Sequence, residues 1–190
     1  QRVLAHLGEK DTLCTFNGAS FDMPLLDARF TMQRMRNPYH LQHIDLLHVA
    51  RRVWKLRLKS CRLSRLEEMV LGITREDDLP GALLPERYFQ YLKTKDEALL
   101  ADILEHNAQD IISLAHLLHQ LVVMHESPCC AAQKEDVFSL GRVYEMRGRM
   151  EGARMCYRAA DKGSLSALAR ARIAETYRRE GSTEQAAKVY

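Results

Sequence analysis

The sequence has no long apolar run. Its apolar stretches extend only a few residues, against the ~20 that a membrane-spanning helix requires, and this excludes a helical membrane protein. It also has no Cys-x-x-Cys pair. Its five cysteines (Cys14, Cys61, Cys129, Cys130 and Cys156) are an odd number, which fits neither a secreted disulfide framework nor a zinc site and makes a reducing cytoplasm the expected setting. There is no initiating Met: the chain opens on Gln1 and stops at Tyr190 inside a repeating pattern, so we expect a chain cut at both ends that has lost any targeting peptide. The net charge of +3 is too small to specify a polyanionic partner by itself.

Acidic residues are missing altogether between Leu46 and Leu66, where Arg51, Arg52, Lys55, Arg57, Lys59, Arg62 and Arg65 all fall. Such a run is either a solvated helix face or a phosphate-binding track. Trp54, within it, reads as core before it reads as a platform for stacking a base.

What is present is enough for one good core or two small ones: 190 residues, 46% hydrophobic and 28% charged. Thr12-Leu13-Cys14-Thr15-Phe16 is a short β-prone run closed by Asn17-Gly18, as in a buried strand ending in a tight turn. A helix follows, with Asp22 and Pro24 in its first turn and Leu25, Leu26, Arg29 and Phe30 at helical spacing. His43-Ile44-Asp45-Leu46 reads as a second strand leading into a helix over Leu46 to Trp54, with Asp45 as its cap before any role as a metal ligand. Ser64-Arg65-Leu66-Glu67 has the form of a capping box, with Gly72 as the stop. Asp77-Asp78-Leu79-Pro80-Gly81 reads as an exposed turn, and Pro85 opens a helix through about Lys93. Leu99, Leu100, Ile103, Leu104, Asn107, Ile111, Leu114, Leu118 and Leu121 then predict one long helix ending near Glu126. Ser127-Pro128-Cys129-Cys130 breaks the pattern and marks the expected domain boundary.

Beyond it the sequence repeats. Leu140-Gly141-x-x-Tyr144, Gly148, Ala153, Tyr157 and Ala160 return about 33 residues later as Ile173-Ala174-x-x-Tyr177, Gly181, Ala186 and Tyr190, matching the tetratricopeptide spacing. Two copies in phase argue against an ordinary Ala-rich hairpin. Repeats of this kind usually bind another protein, whose identity no residue here specifies.

Two motifs carry possible chemistry. Asn17-Gly18-Ala19-Ser20-Phe21-Asp22 sets a carboxylate after a strand and turn, at the mouth of a helix. His106-Asn107-x-x-Asp110 sets an imidazole and a carboxylate four apart, on one helical face. Converging carboxylates are what two-metal phosphodiester cleavage requires. Against this stand plain structural roles: Asp22 as a cap, Asp110 as one polar residue on a long helix, and His106 as a satisfied structural histidine.

Asn-x-x-x-Phe-Asp followed by a His or Tyr shortly before an Asp resembles the second and third motifs of the DEDD exonuclease superfamily. His43-Ile44-Asp45-Leu46-Leu47-His48-Val49-Ala50-Arg51-Arg52-Val53-Trp54, Leu63-Ser64-Arg65-Leu66-Glu67 and Leu79-Pro80-Gly81 are similar to the YprB-type RNase-H-like family, in which such a domain precedes tetratricopeptide repeats. The resemblance implies an α/β RNase-H-like domain over residues 1–126 with its opening strands missing, a linker over 127–134, and all-α tetratricopeptide hairpins over 135–190. It implies Asp22 and Asp110 as metal-binding carboxylates for Mg²⁺ or Mn²⁺, with His106 orienting water. Asn17 and Phe21 would shape the site and, with Arg51, Arg52, Lys55 and Arg57, contact nucleic acid.

The sequence departs from the family pattern twice. The opening Asp-x-Glu motif is absent, so the chain by itself is expected to be inactive. His106 also lies four residues before Asp110, a spacing the superfamily more often fills with Tyr. The resulting expectation for the full-length protein is metal-dependent 3′→5′ hydrolysis of single-stranded DNA or RNA, with an unspecified protein partner on the repeats. The alternative is a non-catalytic adaptor on a degenerate nuclease fold. In a third reading the repeats carry the whole function and the first domain is their platform.

Overall fold

A computed structural model of the chain describes residues 12–35, 42–75 and 83–189. The expected Asp77 to Gly81 turn and Tyr190 lie outside the described residues. Two β-prone runs pair as parallel strands, β1 (Thr12–Thr15) and β2 (Gln42–Asp45), with Thr12 opposite Gln42 and Thr15 opposite Asp45. Thr15 Oγ1 and His43 Nε2, 2.8 Å apart, tie the strands through their side chains. Helix α1 (Asp22–Met32) occupies the connection between them.

The turn out of β1 depends on two residues. Asn17 adopts φ 65°, a left-handed conformation that Asn tolerates better than most residues, and its carbonyl accepts from the N–H of Ser20 and of Phe21. Gly18 is required by close approach, because a Cβ there would sit 2.5 Å from the Thr15 side chain. Asp45 then fixes this turn to the next helix. Its Oδ1 accepts from the backbone N–H of Leu47 (3.0 Å) and Asn17 (2.9 Å), and its Oδ2 from that of Ala19 (3.0 Å). Asp45 is therefore the cap of α2 (Leu46–Leu58), as its position in the sequence suggests, and it also holds the turn after β1. Burial alone would raise its carboxyl pKa, but the three N–H donors outweigh that and hold it below the ordinary 3.8.

Helix α2 buries Leu46, Leu47, Ala50, Val53, Trp54 and Leu58 and turns Arg51, Arg52 and Lys55 outward. Trp54 is fully packed, so it is a core residue and not a stacking platform. Short α3 (Leu63–Leu66) runs into one π-helical turn, Glu67–Leu71, which ends at Gly72 with φ 67°. The Ser64–Glu67 capping box does not form. Arg62 precedes α3 without a side-chain cap, and the fully buried Glu67 is bound elsewhere. Next come α4 (Leu84–Thr94), with proline in its first turn, and α5 (Ala98–Glu126), a single helix of 29 residues. The buried positions of α5 are Ser113 and Leu117, whereas Leu104 and Ile111 are more than 60% exposed. The inward stripe runs through 106, 110, 113 and 117, with Leu99, Leu100, Ile103, Leu114, Leu118 and Leu121 partly buried, while Asn107 joins Leu104 and Ile111 in being exposed.

The remaining helices are α6 (Lys134–Met146), α7 (Met150–Ala160), α8 (Ser166–Arg179) and α9 (Thr183–Ala187), each packed on the next. Their core includes Phe138, Leu140, Tyr144, Cys156, Tyr157 and Ile173. A Cβ on Gly141 would lie 2.8 Å from the Tyr157 ring, so only glycine lets α6 and α7 approach this closely. The ends of α6 and α8 repeat one another at an offset of 33. Gly148 (φ 73°) and Gly181 (φ 77°) are left-handed, and the N–H of Arg149 and of Ser182 return to the carbonyls of Tyr144 and Tyr177, each at 2.9 Å.

By compactness the described chain forms two units. One comprises the residues through Cys61 together with His119 onward, and the other is Arg62–Leu118. In the first, α2 packs against α6, and Arg57 bridges them with a two-pronged ion pair to Asp136, its closest contact 2.8 Å. Burial pushes the Asp136 carboxyl up despite that guanidinium. Burial likewise pushes the Cys156 thiol up to about 12, which makes it a packing residue and not a nucleophile. Among the described residues no helix is long and apolar enough to cross a membrane.

Candidate functional site

His106 and Asp110 stand one turn apart on the inward stripe of α5, and the structure brings them together with residues the sequence did not single out. The centre of the group is Arg75. Its guanidinium forms a two-pronged pair with Glu67, 2.8 and 2.6 Å, while Nη2 also donates to Asp110 Oδ1 at 2.6 Å. Arg75 Nη1 lies 3.3 Å from His106 Nδ1, and Ser113 Oγ donates to Glu67 Oε1 in a short hydrogen bond. His106 Nε2 is 3.6 Å from Asp110 Oδ2, too far for a hydrogen bond. Burial works against the charged guanidinium, but its bonds to Glu67 and Asp110 push its pKa above the ordinary arginine value. The group is a Glu67–Arg75–Asp110 charge network around the buried Glu67, to which Ser113 also donates, and these residues lie within the Arg62–Leu118 unit.

Asp22 belongs to the other unit. It is exposed as the first residue of α1, where a carboxylate suits the positive end of the helix. The helix cap position is Phe21, which makes no side-chain cap bond and is 62% exposed. Asn17 supplies the turn geometry and offers its backbone N–H to Asp45.

The basic stretch divides. Arg51, Arg52 and Lys55 are exposed on α2 and line a groove of about 550 Å³, whereas Arg57 is engaged by Asp136. Lys59 and, from α6, Arg142 line the same groove. Lys59 lay within the acid-free run, but nothing in the sequence paired α6 with α2. Glu67 was hidden behind its resemblance to a capping box, and Arg75 carried no motif at all.

Comparison with known proteins places this geometry. The family RNase_H_2 of the RNase_H superfamily matches residues 1–122. The chain belongs to the RNase_H superfamily. Over 108 residues this RNase-H-like chain is 42% identical to the uncharacterized protein YprB of Bacillus subtilis (strain 168), a match covering 56% of the chain and 26% of the relative. The match thus spans about a quarter of that relative's length. No solved structure matches significantly.

Nucleases of this superfamily generally use divalent metals. The donors described here do not fit such a centre. Among the described residues no three His, Cys, Asp or Glu side chains come together as metal ligands, and Asp110 presents one carboxylate oxygen to a guanidinium.

Proposed function

We propose that the full-length protein is a nuclease that hydrolyses single-stranded DNA or RNA from the 3′ end. This chain would contribute Asp22 and Asp110 as two of the acidic residues and His106 as the group beside the attacked phosphate. The observation that carries this reading is the placement of Asp110 and His106 on one inward face of α5, within a chain of the RNase_H superfamily. For Asp110 to act, Arg75 must release it, and further acidic residues must come from the remainder of the full-length protein. The repeating hairpins α6 to α9, with matching glycine ends, support tetratricopeptide repeats that recruit a protein partner. The setting consistent with the free thiols is the cytoplasm.

One observation favours a second reading, a non-catalytic nucleic-acid adaptor. Arg75 bonds both Glu67 and Asp110, so one oxygen of the Asp110 carboxylate is already committed to a guanidinium. Degradation of 3′-labelled and 5′-labelled single strands by the full-length protein with Mn²⁺, beside Asp22→Ala and Asp110→Ala, separates the two. Stepwise loss from the 3′ end that both substitutions abolish is the expected result. Intact strands with oligonucleotide binding retained would establish the adaptor instead.

A further inference from the structure

The groove between α2 and α6 has an unusual lining. Arg51, Arg52 and Lys55 come from α2, Lys59 from the cap just past its end, and Arg142 from α6. No acidic residue lines it, and none of these five cations forms an ion pair among the described residues. Five like charges gathered without a counter-charge repel one another, and an arrangement of this kind is relieved by a polyanion. Their spacing is regular. Arg52 and Lys55 fall on successive turns of α2, about 5 Å apart along its axis, and Lys59 follows just past the helix end, a row long enough to follow more than one phosphate of an extended strand. Leu56, Val143 and the 65%-exposed Met146 add apolar surface, which suits the face of a base or a ribose better than an acidic side chain.

The groove is built, not incidental. Leu56 packs on the hairpin core at its floor, and the Arg57–Asp136 pair fixes α2 on α6. Arg57 therefore holds the groove together and does not line it.

From this we infer that the α2–α6 groove is the seat of a single-stranded nucleic-acid backbone, shared between the RNase-H-like domain and the first helical hairpin, with Arg142 as the hairpin's phosphate contact. The inference rests on the reading that the protein acts on nucleic acid, and it adds that the hairpin segment is part of the nucleic-acid surface.

The test is fluorescence anisotropy of labelled oligothymidylate and oligouridylate with the full-length protein in EDTA, across a salt series. Reversing Lys55 and Arg142 together (K55E with R142E) should weaken binding on the order of tenfold. Arg142→Ala should lower the slope of log affinity against log salt by about 0.7, the share of one phosphate contact on a single strand. Arg142→Lys should keep most of the affinity, which separates lost charge from lost fold. Lys93→Glu, a single reversal on α4 with half that charge change, should leave binding near wild type. Preference between the two strands assigns the groove to DNA or RNA.

Wild-type binding that K55E with R142E leaves unchanged, or that Lys93→Glu weakens equally, would overturn the groove while sparing the nucleic-acid reading. Failure of the wild-type protein to bind either strand at low salt would overturn both. Competition by polyglutamate as effective as that by an oligonucleotide of equal charge would replace the partner with an acidic peptide.

Discussion

The hairpins α6 to α9 and the segment β1–α1–β2 solve the same problem with opposite success. The hairpins close a core on themselves: Phe138, Tyr157 and Ile173 are buried, Tyr157 donates to Glu145 Oε2 at 2.6 Å, and Glu145 lies 3.1 Å from Arg179. By contrast, among the described residues α1 buries no side chain, leaving Leu25 55% and Met32 73% exposed, and two strands pair beside it. The difference is one of range. A helical hairpin finds its partner within about 30 residues, whereas a helix of an α/β layer needs a sheet wide enough to cover its apolar side. In β1–α1–β2 order comes instead from polar bonds to one carboxylate, Asp45.

The comparison can be broken at several points. The largest expected effect is Tyr157→Ala, which removes the aromatic around which α6 and α7 close and should cost about 4 kcal/mol in urea unfolding. A cost below about 1 kcal/mol would mean that the hairpin core does not depend on that contact. Arg75→Ala extends the question to the Arg62–Leu118 unit. It strands the buried Glu67 carboxylate and should cost about 3 kcal/mol, with Arg75→Lys recovering only part because an ammonium cannot make the two-pronged pair.

Asp45→Ala should cost about 2 kcal/mol by freeing three backbone donors. Its pH signature has a definite sign. Because folding lowers the Asp45 pKa, its stabilisation is present above the ordinary 3.8 and is lost as pH falls through the folded value. The acid side of the urea midpoint profile should therefore be shallower in the variant than in wild type, and parallel profiles would refute this role for Asp45. The smallest effect is Leu25→Ser on α1, within about 0.5 kcal/mol for so exposed a side chain. A loss of several kcal/mol would show that α1 is covered in the full-length protein.

The same contrast of range explains what could be read in the sequence. The Asp45 cap, the Asn17-Gly18 turn, the helix opened at Pro85 and the stop at Gly72 are each decided within a few residues, and each stands in the structure. The pairing of His106 with Asp110 was legible because a helix fixes residues four apart on one face. What escaped is held by long-range chemistry. Glu67 fits a capping box by spacing, but its burial against Arg75 and Ser113 decides otherwise, across separations of 8 and 46 residues. Arg57 looked like one more member of a basic run, and Asp136, 79 residues away, removes it. On α5 the leucine spacing found the helix and most of its partly buried side, but Leu104, Asn107 and Ile111 are exposed and the fully buried positions include the polar Ser113.

The central claim is that nucleic acid is the partner and that α2 and α6 meet it together. The most direct measurement is photocrosslinking of a 4-thiothymidine single strand to the full-length protein, with the attached peptides mapped by mass spectrometry. The account predicts crosslinks in both Leu46–Leu58 and Lys134–Met146, lost together in K55E with R142E. Crosslinks confined to peptides outside both helices, and unchanged by those substitutions, would contradict it.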